Sequence, residues 1–140
     1  MIPLVRDSQK WQRTGETDLS HDHLISVIDD DPSIVLAIVG LVRSLGYRAS
    51  GHASAEAFLA SDEPQSAHCI ITDIQMPGMS GVALKQHLAT NDVTTPVIMI
   101  TARTETALLD SARESGAFCL LGKPFEPNDL IHCVENALSR

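Results

Sequence analysis

Between residue 24 and the end of the chain, five short strand-like segments alternate with five helix-like segments. The predicted strands cover residues 24–28, 47–52, 68–73, 96–101 and 118–121. The predicted helices cover residues 32–45, 54–60, 81–90, 104–115 and 127–138. Short β-rich runs separated by helices are typical of parallel β-α-β units. Because the first, third and fourth strands are apolar nearly throughout, helices should cover both faces of the sheet. The chain is therefore predicted to form an α/β fold with a doubly wound parallel sheet.

The composition fits one domain and argues against two classes of partner. With 140 residues, of which 44% are hydrophobic and 20% charged, the chain can bury a single core. Its formal net charge of −8 would repel nucleic-acid phosphates and anionic membrane surfaces. We therefore expect neither direct nucleic-acid binding nor membrane binding by this chain.

The cysteines indicate a reducing compartment. Cys69, Cys119 and Cys133 are widely spaced and form no CxxC pair. An odd number at this spacing is typical of free, buried thiols and not of a disulfide framework or a zinc site. The sequence also lacks an apolar run of about 18 residues and the apolar stretch of a signal peptide. We expect a cytoplasmic protein.

Residues 1–22 differ from the rest of the chain. They are polar and show no periodic pattern, so we predict a flexible N-terminal extension before a domain over residues 23–140. Trp11 could anchor this extension on the domain. His21 and His23 are metal-ligating residue types, but two histidines in a polar tail are more often solvated.

Polar residues of types that can take part in chemistry lie where the predicted strands end. Asp29 and Asp30 follow strand one, Asp73 ends strand three, Thr101 ends strand four and Lys123 follows strand five. In an open, doubly wound sheet the carboxyl ends of the strands form one edge, and ligands bind there. These side chains should therefore converge on one pocket.

The residue types in this pocket suggest phosphoryl chemistry. Three converging carboxylates repel one another unless a cation lies among them. An oxygen site with few protein ligands suits Mg²⁺, which is completed by water and phosphate oxygens. Lysine and threonine side chains suit a phosphate. An aspartate at the centre of such a set is a candidate nucleophile that forms an acyl phosphate.

The first helix has its own sequence signals. Asp31 precedes Pro32, which is typical of a helix start with aspartate at the N-cap and proline at the first helical position. Ser54 is the predicted N-cap of the second helix. The predicted core stripe of the first helix comprises Ile34, Ile38, Leu41 and Leu45, and further apolar residues occur at Val35, Val39 and Val42.

Four motifs together carry a family resemblance. They are VIDDD (27–31), IITDIQMPGMSG (70–81), PVIMITA (96–102) and GAFCLLGKPF (116–125). In this order and spacing, the chain resembles the receiver domain of bacterial two-component response regulators over residues 24–139. The resemblance implies a flavodoxin-like, five-stranded parallel sheet in the order 2-1-3-4-5 with five flanking helices.

The resemblance also implies a role for each site residue. Asp73 matches the phospho-acceptor, which takes a phosphoryl group from a histidine of a sensor kinase or phosphotransfer protein. Asp29 and Asp30 match the acidic pair that positions Mg²⁺, or alternatively Mn²⁺, with Asp73 and the backbone carbonyl of Gln75 as further ligands. Thr101 and Lys123 match the hydroxyl and the ammonium that contact the phosphoryl group.

Further positions match residues around the family's site. Gln75 and Arg103 match positions that tune the lifetime of the phosphoryl group, and the Lys123–Pro124 bond matches one that is usually cis. Gly81, with Pro77, matches the turn after the acceptor strand, where a glycine supports a tight chain reversal.

One departure from the family concerns the switch position. The family usually has tyrosine or phenylalanine three residues before the lysine, and this chain has Leu120. Phe118 lies on the same face by strand alternation, and we predict that it is a core residue. Phosphorylation chemistry should survive this change.

The implied activity is that of a switch. A receiver of this kind catalyses its own phosphorylation and dephosphorylation and changes its affinity for a partner or an output domain. The resemblance also implies docking of the kinase near the first helix, and dimerisation through helix 4, strand 5 and helix 5 as one option.

Three other functions fit parts of the sequence. A haloacid-dehalogenase-type phosphatase would use Asp29 and Asp31 but leaves Asp73 unexplained. A flavodoxin-like cofactor binder needs a loop rich in Ser, Thr and Gly after strand one, whereas DDDPS would repel a phosphate. A phosphorylation-independent interaction module would not need the complete set of acceptor, acidic and lysine residues, and this sequence has the complete set.

Overall fold

The computed structural model describes residues 22–139. The predictions for Trp11, for His21 and for residues 1–21 of the N-terminal extension lie outside the described residues. His23 lies inside them and is not the solvated tail residue that we expected. It is half-buried, and its ring packs against His68 and Tyr47 with ring centroids 5.0 Å and 6.1 Å away.

Five parallel strands form one sheet. They are β1 (Leu24–Ile28), β2 (Arg48–His52), β3 (Cys69–Asp73), β4 (Val97–Thr101) and β5 (Cys119–Gly122). Their order across the sheet is β2-β1-β3-β4-β5, and every neighbouring pair is parallel. The predicted topology 2-1-3-4-5 is therefore confirmed.

Helices connect the strands. They are α1 (Pro32–Ser44), α2 (Ala55–Ala60), α3 (Gly81–Thr90), α4 (Thr106–Glu114) and α5 (Pro127–Leu138). A short 3₁₀ helix (Glu63–Gln65), which the sequence pattern did not predict, lies between α2 and β3. The other bounds agree with the predicted ones to within two residues. In the described part of the chain, no helix is long and apolar enough to span a membrane.

Side-chain caps explain where three helices begin. The Asp31 carboxylate accepts a hydrogen bond from the Ser33 backbone N–H at 2.9 Å, and Pro32 occupies the first helical position. Ser54 and Ser80 cap α2 and α3 in the same way. Each cap satisfies an N–H group that the helix itself leaves without a partner. The N-cap predictions for Asp31 and Ser54 are confirmed.

Alternating residues of the buried strands form two apolar cores, one on each face of the sheet. All five residues of β1, β3 and β4 are buried, as predicted for strands covered on both faces. One core lies under α1 and α5 and includes Val27, Ile71 and Ile100. The other lies under α2, α3 and α4 and includes Ile70 and Met99.

The buried face of α1 differs from the predicted stripe. Ile38, Val39 and Val42 are buried, whereas Ile34 and Leu41 are only partly buried, and Leu36 is 73% exposed. α1 has apolar residues around most of its circumference, so periodicity alone could not select the face. The crossing of α1 over β1 and β2 selects it.

The three cysteines are free, as predicted. Cys69 and Cys133 are buried, and Cys119 is half-buried. Burial raises the pKa of the Cys69 thiol to about 12, and burial together with Cys119 raises the pKa of Cys133 to about 12. The thiols of Cys69 and Cys133 are therefore protonated at neutral pH and unreactive.

Glu63 on the 3₁₀ helix ties the β1–β2 side of the sheet together. Its carboxylate accepts hydrogen bonds from the hydroxyls of Ser26 and Ser50, each at 2.6 Å, and from His52 Nε2 at 2.7 Å. Burial alone would raise the pKa of Glu63, but these hydrogen bonds together lower it below its usual value. The carboxylate thus satisfies the hydroxyl of Ser26, a fully buried polar residue on a central strand.

We expect Glu63→Gln to reduce the free energy of unfolding by about 1–3 kcal/mol at pH 7, because an amide cannot accept all three hydrogen bonds. A carboxylate whose pKa is lowered by folding stabilises the protein above its unfolded-state pKa, and this contribution is lost as the pH falls through the folded-state pKa. The difference in the free energy of unfolding between variant and wild type should therefore be largest at neutral pH and should become smaller below about pH 4. Urea unfolding across this pH range measures it.

Glu114→Gln is the matched control, because Glu114 is exposed at the end of α4. It should leave stability nearly unchanged. Equal stability of Glu63→Gln and wild type at pH 7 would contradict the structural role of Glu63.

Candidate functional site

Three carboxylates meet at the carboxyl edge of the sheet. β1 and β3 are neighbours with Ile28 opposite Thr72, so Asp29 and Asp73, the next residues along, also lie side by side. One oxygen from each of Asp29, Asp30 and Asp73 can be chosen so that all three lie within 4.8 Å of one another. Asp29 is 3% and Asp73 8% exposed, whereas Asp30 faces solvent. The structure therefore brings the predicted acidic residues together.

Lys123 bridges the two buried carboxylates. Its Nζ lies 2.8 Å from Asp29 Oδ2 and 3.2 Å from Asp73 Oδ2. Its backbone N–H donates to the Thr101 carbonyl at 2.7 Å, which places the lysine beside the end of β4. The Lys123–Pro124 peptide bond is cis, as the resemblance implied. One ammonium group against three carboxylates leaves the cluster with excess negative charge.

The ionisation of this cluster reflects its crowding. The pKa of Asp73 is raised, first by burial and further by the neighbouring Asp29, and Lys123 counteracts this only in part. Burial alone would lower the pKa of Lys123, but the carboxylates of Asp29 and Asp73 raise it above its ordinary value. A cation that entered the cluster would relieve the repulsion between Asp29 and Asp73.

The donor set fits a hard divalent cation. All three candidate ligands of the cluster are carboxylates, and Mg²⁺ prefers oxygen ligands while it keeps several waters. The exposed Asp30 leaves one side of the cluster open for water or phosphate oxygens. Gln75 lies next to it, and its backbone N–H donates to Asp73 Oδ1 at 3.4 Å. This contact places Gln75 beside the cluster, where the resemblance implied a carbonyl ligand.

The Thr101 hydroxyl also belongs to this edge of the sheet. Thr101 is 2% exposed, and its Oγ1 accepts a hydrogen bond from the Arg103 backbone N–H at 2.9 Å. The hydroxyl still has its own proton to donate. The Arg103 side chain does not contact the carboxylate cluster in this structure, because it forms an ion pair with Glu105.

Asp31 does not share in the cluster through its side chain. Its carboxylate accepts from both the backbone N–H and the hydroxyl of Ser33, and these hydrogen bonds lower its pKa. Its backbone N–H donates to Asp29 Oδ1 at 2.9 Å. Asp31 therefore begins α1 and orients Asp29, whereas the phosphatase alternative needs its carboxylate at the reaction centre.

The loop after β3 passes very close to the site. A Cβ on Gly81 would lie 2.5 Å from the carbonyl oxygen of Asp73, so only glycine fits there. Gly78 has a φ of +78°, a conformation that glycine adopts readily. Glu56 on α2 holds this loop by accepting from the Met79 backbone N–H at 2.8 Å. Glu56 was not predicted from the sequence, because no local pattern links it to a loop 23 residues away.

The switch position is filled by an aliphatic side chain. Leu120 is partly buried and packs against the core under α2, α3 and α4. The prediction that Phe118 is a core residue was wrong. Phe118 is 37% exposed, because it precedes β5 and lies by Lys85 and Gly116 on the outer surface. It therefore does not replace the family's aromatic switch residue.

Comparison with known families decides between the alternatives. A model of the response regulator receiver domain matches residues 25–135. The chain belongs to this family. Receiver domains act in phosphorelay signalling, and the comparisons give no support to a haloacid-dehalogenase-type phosphatase.

Curated relatives place the receiver domain within longer proteins. Nodulation protein W of Bradyrhizobium diazoefficiens is 31% identical over 126 residues, which cover 90% of this chain and 56% of the relative. Transcriptional regulatory protein FixJ of Azorhizobium caulinodans is 35% identical over 116 residues, which cover 83% of this chain and 55% of FixJ. The chain thus spans about half the length of these relatives.

Solved structures of receiver domains share the fold. The crystal structure of FixJ-N superposes with a TM-score of 0.77 at 30% identity and covers 85% of this chain and 95% of its own. The BeF3-activated DrrB receiver domain gives a TM-score of 0.77 at 28% identity, over 84% of this chain and 98% of DrrB.

We expect Mg²⁺ to raise the thermal midpoint of unfolding of the wild type. We expect it to bind Asp30→Asn at least about tenfold more weakly than the wild type, because removal of a residue that merely supports a metal ligand already costs about that much affinity. Asp30 is exposed, so its replacement should leave the contacts of Lys123 intact. Because the pKa of Asp73 is raised, protons should compete with Mg²⁺ increasingly as the pH falls. Titration calorimetry at several pH values measures the affinity.

Asp62→Asn removes an exposed carboxylate that lies with Leu24 and Arg48 at the amino ends of β1 and β2, at the opposite edge of the sheet from the cluster, and serves as the control. It should bind Mg²⁺ like the wild type. Equal affinities of Asp30→Asn and wild type would show that Asp30 does not take part in the site.

Proposed function

We propose that Asp73 is the phospho-acceptor of this receiver domain. The observation that carries the proposal is the position of its carboxylate at the end of β3, where it lies within 4.8 Å of oxygens of Asp29 and Asp30 and 3.2 Å from Lys123 Nζ. A phosphoryl group on Asp73 would lie near both the acidic pair and the Lys123 ammonium. A phosphohistidine of a sensor kinase or phosphotransfer protein would be the donor.

Asp29, Asp30, Asp73 and the backbone carbonyl of Gln75 would hold Mg²⁺, with Mn²⁺ as the alternative ion. When bound, the ion neutralises negative charge on the carboxylates and on the incoming phosphoryl group. The support for this assignment is the oxygen-only donor set and its net negative charge. In the transfer step, Asp73 Oδ attacks phosphorus, the bond from phosphorus to the donor's histidine nitrogen breaks, and that nitrogen takes up the electron pair.

Lys123 and Thr101 would stabilise the product. Phosphorylation adds about −1.5 to −2 charge units at the end of β3. The Lys123 ammonium already contacts Asp73 and can follow the new oxygens, and the Thr101 hydroxyl has a proton to donate. These two contacts favour the phosphorylated conformation of an equilibrium that exists before phosphorylation.

The response would reach partners through the outer surface of the domain. We propose that the α4, β5 and α5 face changes its affinity for a partner, an output domain or a second copy of the chain. The lengths of the relatives support an output domain in a longer protein, and the free thiols support a cytoplasmic location. The receiver would begin at residue 23 and include the remainder of the chain to residue 140.

We expect Asp73→Asn to abolish the gain of one phosphoryl group when the protein is incubated with acetyl phosphate and Mg²⁺, because an amide is not a nucleophile. Removing a carboxylate whose pKa is raised by folding should also make the metal-free protein more stable at neutral pH, since its ionised form is disfavoured there. Intact-mass spectrometry measures labelling, and thermal unfolding measures stability.

Asp31→Asn is the matched control, because asparagine also caps helices well. It should be labelled like the wild type. Persistent labelling of Asp73→Asn would refute the assignment of the acceptor, and loss of labelling in Asp31→Asn would favour a chemical role for Asp31 after all.

A further inference from the structure

An arginine near the site forms an ion pair with a neighbouring carboxylate. Arg103 Nε lies 3.1 Å from Glu105 Oε1 and 2.9 Å from Glu105 Oε2, and a guanidinium nitrogen completes the pair. Both side chains are 52% exposed, so the pair is solvated and a stronger acceptor can displace it. Forked contacts of this kind direct the guanidinium toward the start of α4.

The same arginine is tied to the site through its backbone. The Arg103 N–H donates to Thr101 Oγ1 at 2.9 Å, so the Arg103 backbone lies at the same edge of the sheet as the carboxylate cluster, just after β4. Glu105 is the N-cap residue of α4, yet its side chain makes no capping hydrogen bond to that helix. The Glu105 carboxylate is instead engaged with Arg103.

We propose that Glu105 is a positioning residue that keeps the Arg103 guanidinium away from the phosphoryl group on Asp73 and thereby shortens the lifetime of that group. This inference rests on the proposed function of Asp73 as the acceptor. The resemblance implied a role in lifetime for the position of Arg103, but it said nothing about Glu105.

The chemistry of hydrolysis gives the direction of the effect. A water oxygen attacks phosphorus, the bond between phosphorus and Asp73 Oδ breaks, the carboxylate leaves with the electron pair, and the water's proton passes to solvent. Attack in line requires water on the side opposite Asp73. A released guanidinium would bind the phosphoryl oxygens through its forked donors and occupy that side. Glu105 competes with the phosphoryl group for Arg103 and keeps the path of the water open.

The test measures the decay of phosphorylated protein after acetyl phosphate is removed, with Mg²⁺ present, by intact mass over time. We expect Glu105→Gln to lengthen the half-life by about two- to fivefold, the range that the weak attraction of an exposed ion pair allows. Arg103→Gln should decay faster than the wild type, because the exposed ion pair already releases the guanidinium part of the time and the variant has no guanidinium to block the water. The double variant should match Arg103→Gln, because Glu105 acts only through Arg103.

Glu114→Gln, the same substitution at the other end of α4, should leave the half-life unchanged. Normal labelling of Asp73 with an unchanged or shorter half-life in Glu105→Gln would overturn this inference alone. A longer half-life that persists in the Arg103→Gln background would also overturn it, since Glu105 would then act through α4. Absence of label on Asp73 in the wild type would overturn the proposed function and this inference together.

Discussion

The close approach of Asp29 and Asp73 is the constraint on which the rest of the structure depends. Two carboxylates that are nearly inaccessible to water are costly when charged, and the third, Asp30, adds to the repulsion. Lys123 offsets this cost only in part, since the pKa of Asp73 is still raised. A cluster that is too negative without a cation is suited to bind one, and the fold maintains this imbalance at the end of two buried strands.

The surrounding backbone serves the same constraint. Gly81 allows α3 to begin against the Asp73 carbonyl, and Glu56 holds the intervening loop by accepting from the Met79 N–H. The Lys123 backbone N–H donates a hydrogen bond to the Thr101 carbonyl, so the lysine and the threonine are positioned together. The site is therefore built on strand ends and short loops with backbone hydrogen bonds, which is the kind of support that accurate placement of reacting groups requires.

The sequence predicted those features that depend on local pattern. Apolar runs predicted the strands, and Asp29, Asp73 and Thr101 were identified because they lie where these runs end. The Asp31–Pro32 pair predicted the start of α1. Features that depend on pairs of distant residues were not predicted. One example is the Glu63 carboxylate, which accepts hydrogen bonds from the hydroxyls of Ser26 and Ser50. The buried face of α1 was wrong in part because a helix with apolar residues on several sides does not show which side meets the sheet. The family resemblance supplied the sheet order, which the structure confirms, and the proposed roles of the site residues, which spacing alone left open.

The departure at Leu120 changes how a signal can leave the site. In this chain an aliphatic side chain packs into the core at that position, so it offers no ring whose rotation could follow the Thr101 hydroxyl. The Thr101 hydroxyl does accept a hydrogen bond from the Arg103 N–H, and Arg103 is joined to the first residues of α4 through Glu105. A hydroxyl that shifts toward a phosphoryl group must carry that N–H along or release it. With Asp73 phosphorylated as proposed, either response would act on the loop between β4 and α4, and we infer that this loop, and not an aromatic side chain on β5, connects the site to the α4 surface.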